Sequence, residues 1–232
     1  ILIGISCSAE LKAQKNGTVY KGNDPAVRYT GRTLVSPDGS VAFDWVGTYL
    51  ETRFTGGKLS VKVSETGTSY YNVFVDGKLH KVVKVCGTDT LIHLVSGIDK
   101  RIHSLKIQKR SEGEFGKTTV HQFVLSGSGR LAEEPAVRTR HIEFIGNSLT
   151  CGYGTDGKHR DEPFLVETEN CNLTFASMVA RYYDADYTLI AHSGRGAARN
   201  YGDSVRVSKV TMKDRMLNTF DEDLTHKWNF KE

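Results

Sequence analysis

Two hydrophobic periods divide the chain. From about Val19 to Leu125 apolar and polar residues alternate with period two, the pattern of strands that bury one face against a core. Val41, Phe43 and Trp45 alternate, as do Leu59, Val61 and Val63, and then Tyr71, Val73 and Val75. The last of these runs ends in Asp76-Gly77. Asp-Gly between two alternating runs predicts a tight hairpin, because both central positions of that turn want positive φ. Further short runs follow at 81–85, 90–95, 103–108 and 119–125, with no helical period among them. Many short strands with regular turns predict an all-β jelly-roll sandwich.

A composition break, Ser126-Gly127-Ser128-Gly129-Arg130 and then Glu133-Glu134-Pro135, predicts a domain boundary near residue 135. The β domain then covers 11–135, and a second domain covers 136–232. In that second part the period changes. A strand is expected at 141–145, followed by a polar loop to about Asn170. Leu173, Ala176, Val179, Ala180 and Tyr183 then fall at helical spacing, with Asn172 available as a cap. Tyr187 to Ala191 reads as a second, buried strand, and Val207, Val210, Asp214 and Leu217 as another helix. Strand, helix, strand, helix predicts the start of an open α/β sheet, in which ligands sit beyond the carboxyl ends of the strands. Two such strands leave edges and apolar faces uncovered, so the sheet is expected to be incomplete at its C-terminus and the chain to be cut at both ends.

Composition narrows the class. With 38% hydrophobic residues the 232-residue chain has enough apolar content for real cores. Its 31 basic and 27 acidic residues are scattered singly, so no nucleic-acid partner is expected. The opening Ile1-Leu2-Ile3-Gly4-Ile5-Ser6-Cys7-Ser8-Ala9-Glu10 reads as the remnant of a signal peptide and predicts export, to the medium, the periplasm or the cell surface; a short buried strand is the alternative. No other segment is long and apolar enough to span a bilayer. If Cys7 leaves with the signal, Cys86, Cys151 and Cys171 remain, which permits one bridge; Cys151 and Cys171 flank one loop and are candidates to pair. There is no C-x-x-C and no H-E-x-x-H, so neither a metal site nor a cofactor is expected.

The chemistry concentrates in Gly146-Asn147-Ser148-Leu149-Thr150-Cys151-Gly152-Tyr153-Gly154. A strand feeding a small-residue turn presents the Ser148 hydroxyl above a sheet, which makes it the candidate nucleophile. Serine needs a base within hydrogen-bond reach and donors for the oxyanion. The backbone N–H of Ser148 is one candidate donor. Gly194 or Gly196, in Ser193-Gly194-Arg195-Gly196 after the second strand, is another, since glycine lets backbone approach a ligand. The competing reading of Ser148 is a helix cap, and that of Gly194 a turn glycine. His192 stands near the proposed donors, but a histidine at a strand end more often packs than acts as a base. His141, His159 and His226 have no motif around them. Arg199 and Asn200 either touch substrate or order their loop, and Tyr153 either stacks on a sugar ring or packs beneath it.

Together with Ser193-Gly194-Arg195-Gly196 and Asn200-Tyr201-Gly202-Asp203, the Ser148 block resembles carbohydrate esterase family two of the SGNH (GDSL-like) hydrolase superfamily. Asp44-Trp45, Gly47-Thr48-Tyr49 and Tyr71-Asn72-Val73-Phe74-Val75-Asp76-Gly77 resemble that family's jelly-roll domain. The resemblance implies a flavodoxin-like α/β domain behind the sandwich. It also implies an esterase that removes acetyl groups from plant cell-wall polysaccharides such as xylan or glucomannan. Ser148 maps to the nucleophile and Gly194 to an oxyanion donor, with Gly196 as the fallback. The family's third donor, an asparagine in a G-x-N-D block, and its late histidine base have no counterpart before Glu232. Asn147 stands where the superfamily commonly has aspartate, and is expected to keep the turn's hydrogen bonds without the charge. If no such histidine exists, the chain reads instead as a carbohydrate-binding module. A lipid or thioester hydrolase of the same superfamily is a further alternative, disfavoured by the β companion.

Overall fold

A computed structural model describes residues 17–133 and 136–231. The expected signal remnant at 1–10 and part of the expected boundary, Glu134-Pro135, lie outside the described residues. Seven strands form one antiparallel sheet: β1 (Gly17–Lys21), β2 (Val27–Thr30), β3 (Leu34–Val35), β4 (Val41–Phe43), β5 (Tyr49–Val75), β6 (Lys78–Lys109) and β7 (Thr118–Ser126). The β5–β6 hairpin is its spine. It turns at Asp76 and Gly77, whose φ angles are 50° and 76°, as an Asp-Gly turn requires.

The runs that read as separate short strands are continuous in β5 and β6. Register shifts bend these strands instead of breaking them. Both ends of β5 pair with the end of β6: Leu105 lies opposite Thr52 on one side and Val75 on the other. The middle of β5 pairs with β7, Leu59 opposite Leu125. The sheet thereby folds over on itself and closes around Leu59, Val61, Val63, Val73, Leu105 and Phe123, all buried. Alternation decides which face goes inward, because a one-residue slip would turn every one of these side chains to solvent.

The second unit has two parallel strands, β8 (His141–Gly146) and β9 (Asp186–Ala191). With them come α1 (Ser148–Cys151), α2 (Phe175–Tyr182) and α3 (Met212–Arg215). The helix α2 exists where the spacing predicts one, but its buried face is Ala176, Ser177 and Ala180. Leu173, Val179 and Tyr183 are exposed. Small side chains let the helix approach the fully buried β9, and the larger apolar ones turn outward. Asn172 is not its cap: Thr174 occupies that position, and Asn172 Oδ1 accepts from Arg181 Nη1 at 2.9 Å. The helix expected over 207–217 shrinks to the single turn α3, closed by a capping box between Thr211 and Asp214. Val207 and Leu217 stay exposed, so no apolar face extends the turn. Among the described residues no helix is long and apolar enough to cross a membrane.

The two units share buried surface. Val46 and Tyr49 of the β domain pack with Cys151, Ala176, Ala180, Tyr187 and Leu189, and Trp45 packs with Ile190 and Met212. A β-carbon at Gly47, where φ is 75°, would lie 2.6 Å from Leu189 Cδ1, so only glycine allows this approach. Asp186 is the polar anchor. It accepts from Tyr49 Oη at 2.7 Å, Arg28 Nη1 at 2.7 Å and Arg138 Nη1 at 2.8 Å. Burial pushes its carboxyl up, but the bonds from Arg28, Tyr49 and Arg138 outweigh this and hold it at about 2. Cys151 and Cys171 do not pair: both are free, buried thiols. Their sulfurs donate elsewhere, Cys151 Sγ to Glu112 Oε2 at 3.5 Å and Cys171 Sγ to the Lys109 carbonyl at 3.4 Å. Cys86 is the disulfide-bonded cysteine of the three.

Candidate active site

Strand β8 ends at Gly146 and α1 begins two residues later. A β-carbon at Gly146 would sit 2.0 Å from Thr150 Oγ1, so strand and helix close up only around glycine. The cap that competes for Ser148 belongs to Asn147, whose Oδ1 accepts the Leu149 N–H at 3.1 Å. Asparagine thus keeps the turn's bond without a charge. Ser148, the first residue of α1, is left half-buried on the wall of a cavity of about 720 Å³. Gly194, Gly196, Arg199, Tyr153 and Glu114 line the same cavity.

The loop after β9 supplies the opposite wall. Gly194 has φ of 73°, and its carbonyl accepts the Tyr201 N–H at 2.8 Å. Gly196 donates its own N–H to Asn200 Oδ1 at 3.2 Å. Among the described residues no acceptor takes the N–H of Ser148 or of Gly194. Asn200 is buried and turned into the loop, with Nδ2 donating to the Val210 carbonyl and its backbone N–H to Ser208 Oγ, each at 2.8 Å. It therefore orders the loop and does not reach the cavity wall, unlike Arg199. The Tyr153 ring stacks on Phe164, centroids 3.7 Å apart and planes 11° from parallel, and is half-exposed beside the cavity.

His192 is buried and does not line the cavity. Its Nδ1 lies 2.7 Å from Asp221 Oδ2 and its Nε2 3.2 Å from Glu114 Oε2. Burial alone would lower its pKa, but the bond to Asp221 and that residue's charge raise it. With both ring nitrogens engaged, it is not placed to take a proton from Ser148. Asp44 supports this network from the β domain, accepting the N–H groups of Asp221 at 2.7 Å and Glu222 at 3.1 Å. Burial, and then the charge of Asp221, push the Asp44 carboxyl up to about 7. His141 bonds Thr188 at 2.9 Å and His226 bonds Asp223 at 2.7 Å, both away from the cavity.

Three acidic residues at or under the site carry no motif in the sequence: Glu112, Glu114 and Asp221. Glu114 lines the cavity, and Glu112 Oε2 accepts the Ser193 N–H at 2.6 Å. The only local sign is the polar, glycine-containing tip Arg110-Ser111-Glu112-Gly113-Glu114 between β6 and β7.

A serine at a strand-to-helix turn thus faces, across one cavity, a glycine loop from the neighbouring parallel strand, with Glu114 of the β domain on the same lining. Residues 29–135 match the model of the carbohydrate esterase 2 N-terminal domain. The chain is 34% identical over 180 residues to cellulase/esterase CelE of Acetivibrio thermocellus, covering 78% of this chain and 22% of that protein. It is 31% identical over 208 residues to an acetylxylan esterase / glucomannan deacetylase of Cellvibrio japonicus, covering 87% and 56%. A solved family two carbohydrate esterase from Clostridium thermocellum, in complex with cellohexaose, superimposes with a TM-score of 0.83 at 32% identity, covering 88% of this chain and 62% of that one. The chain carries a carbohydrate esterase 2 N-terminal domain and is similar over most of its length to family two carbohydrate esterases. It spans less than two thirds of the length of these relatives.

Proposed function

We propose that this protein is an exported, SGNH-type serine esterase that removes O-acetyl groups from plant cell-wall polysaccharide such as xylan or glucomannan. Ser148 Oγ attacks the acetyl carbonyl, and its proton passes to a histidine outside the described residues, since no described histidine lines the cavity. The tetrahedral oxyanion accepts from the N–H groups of Ser148 and Gly194. The sugar oxygen leaves with the proton from the histidine, and water then releases acetate from acetyl-Ser148. Arg199 and the Tyr153 ring, backed by Phe164, offer the sugar a polar and an aromatic contact. Gly194 is preferred to Gly196 because the Gly196 N–H already has an acceptor.

One observation carries this reading: half-buried Ser148 and Gly194 line one cavity, and neither residue's backbone N–H has an acceptor among the described residues. The name of the Cellvibrio japonicus relative, acetylxylan esterase / glucomannan deacetylase, supports the acetylated-polysaccharide substrate. The test is hydrolysis of an aryl acetate and of acetylated xylan and glucomannan by the full-length protein. Ser148→Ala abolishes turnover and leaves the circular dichroism spectrum unchanged. Full activity in that variant overturns the assignment.

A further inference from the structure

The carboxylate of Glu112 joins the two halves of the candidate site from below. Glu112 is a β-domain residue at the tip between β6 and β7, fully buried. Its Oε2 accepts the N–H of Ser193, the residue before Gly194, at 2.6 Å. The same oxygen faces Cys151 Sγ, three residues beyond Ser148, at 3.5 Å. Gly194 is thus held on both sides, by Glu112 through the preceding N–H and by Tyr201 N–H on its own carbonyl at 2.8 Å. A backbone donor held in this way does not have to reorient when charge develops on a substrate, which is what makes an oxyanion donor effective.

We propose that Glu112 is the positioning residue of the oxyanion loop, fixing the direction of the Gly194 N–H through its bond to Ser193; this rests on the serine-esterase reading above. The surroundings are expensive for a residue with only a packing role. Two buried carboxyls, those of Glu112 and Glu169, meet here, and like charges at one site disfavour each other. Glu169 lies behind Glu112, accepting its N–H at 2.9 Å. Burial, and then the charge of Glu112, push the Glu169 carboxyl above its ordinary value. A charged acceptor makes a stronger bond to a backbone N–H than a neutral one does. A neutral amide in its place keeps the contact but loosens it.

The experiment is steady-state kinetics on an aryl acetate with the full-length protein. Glu112→Gln lowers kcat about tenfold and Glu112→Ala about a hundredfold, up to the lower end of the roughly 100- to 1000-fold loss of a whole oxyanion donor. KM stays within about twofold, because the substrate's own contacts are untouched. The glutamine variant keeps the shape of the side chain and carries the test alone if the alanine variant does not fold. Ile107→Val, a small deletion in the β-domain core, lowers the melting temperature without moving kcat, and so separates positioning from general destabilisation. Unchanged kcat in Glu112→Gln, or a loss confined to KM, overturns the proposal while leaving Ser148 in place. A parent protein that does not hydrolyse the ester overturns the esterase reading and this proposal with it.

Discussion

Gly196 donates its backbone N–H to Asn200 Oδ1 at 3.2 Å, and this bond separates the roles of the two glycines in the loop after β9. Gly196 is held inside the loop: a β-carbon on it would lie 2.1 Å from the Arg199 carbonyl oxygen. Gly194 has open space around it, its nearest neighbour being Tyr201 Cβ at 3.8 Å, and needs glycine for its backbone angle. One glycine is required by sterics and the other by conformation.

Alanine at the two positions therefore has different effects. Gly194→Ala costs about 1 kcal/mol, the penalty of a left-handed conformation, and lowers kcat through the displaced N–H. Gly196→Ala costs more, about 3 kcal/mol, because its β-carbon meets backbone that has to move. Urea denaturation of both variants gives the order. A larger loss of stability at Gly194 contradicts it.

Tyr153 offers a ring to a sugar but nothing to a small ester. Tyr153→Ala raises KM for an acetylated oligosaccharide about tenfold, the scale of one aromatic contact. Its kcat/KM on an aryl acetate stays within about twofold. Equal losses on both substrates mean that the ring supports the loop and does not bind the glycan.

How far the sequence reaches depends on whether the deciding contacts are local. The Asp76-Gly77 hairpin and the inward set Leu59, Val61 and Val63 are legible because neighbours in sequence decide them. So is the approach of Ser148 and Gly194 to one cavity, since each follows the carboxyl end of a parallel strand. The continuity of β5 is not legible, because its bulges depend on distant partners in β6 and β7. The spacing of Leu173, Val179 and Tyr183 reveals a helix, yet the face it buries is the small-residue one that β9 accepts. Glu112 lies 81 residues from Ser193 and Asp221 lies 29 from His192, so no local pattern joins either pair.

The anchor between the units has a definite acid dependence. Asp186 is held at about 2 in the folded protein, below its ordinary value, so its contribution is fully present above about pH 4 and is lost as pH falls through about 2. Asp186→Ala leaves the buried Arg28 with one fewer partner and costs about 3 kcal/mol at pH 7. The difference from the parent narrows as pH is lowered from about 4 to 2. Chemical denaturation across that range checks it, and a difference independent of pH contradicts the assignment.

The network behind His192 has the opposite sign. Asp44 is raised to about 7 by burial and by Asp221, so the folded state holds a proton there that the unfolded chain releases near its ordinary carboxylate value. Its stabilisation is complete below that value and is lost as pH rises through about 7. His192 is raised as well, and what it contributes is present below about 6.5, the ordinary histidine value, and is lost as pH climbs past its folded one. Both act in the same direction, so the share of the unfolding free energy that these two groups carry falls as pH rises above about 4. Asp44→Asn removes the first group while keeping one oxygen for the Asp221 N–H. Its stability curve is flatter than the parent's below pH 7 and retains only the His192 decline above it. Urea denaturation at unit pH steps resolves the two. A slope unchanged by Asp44→Asn shows that the carboxyl titrates at its ordinary value and that the Asp221 loop is held by other groups.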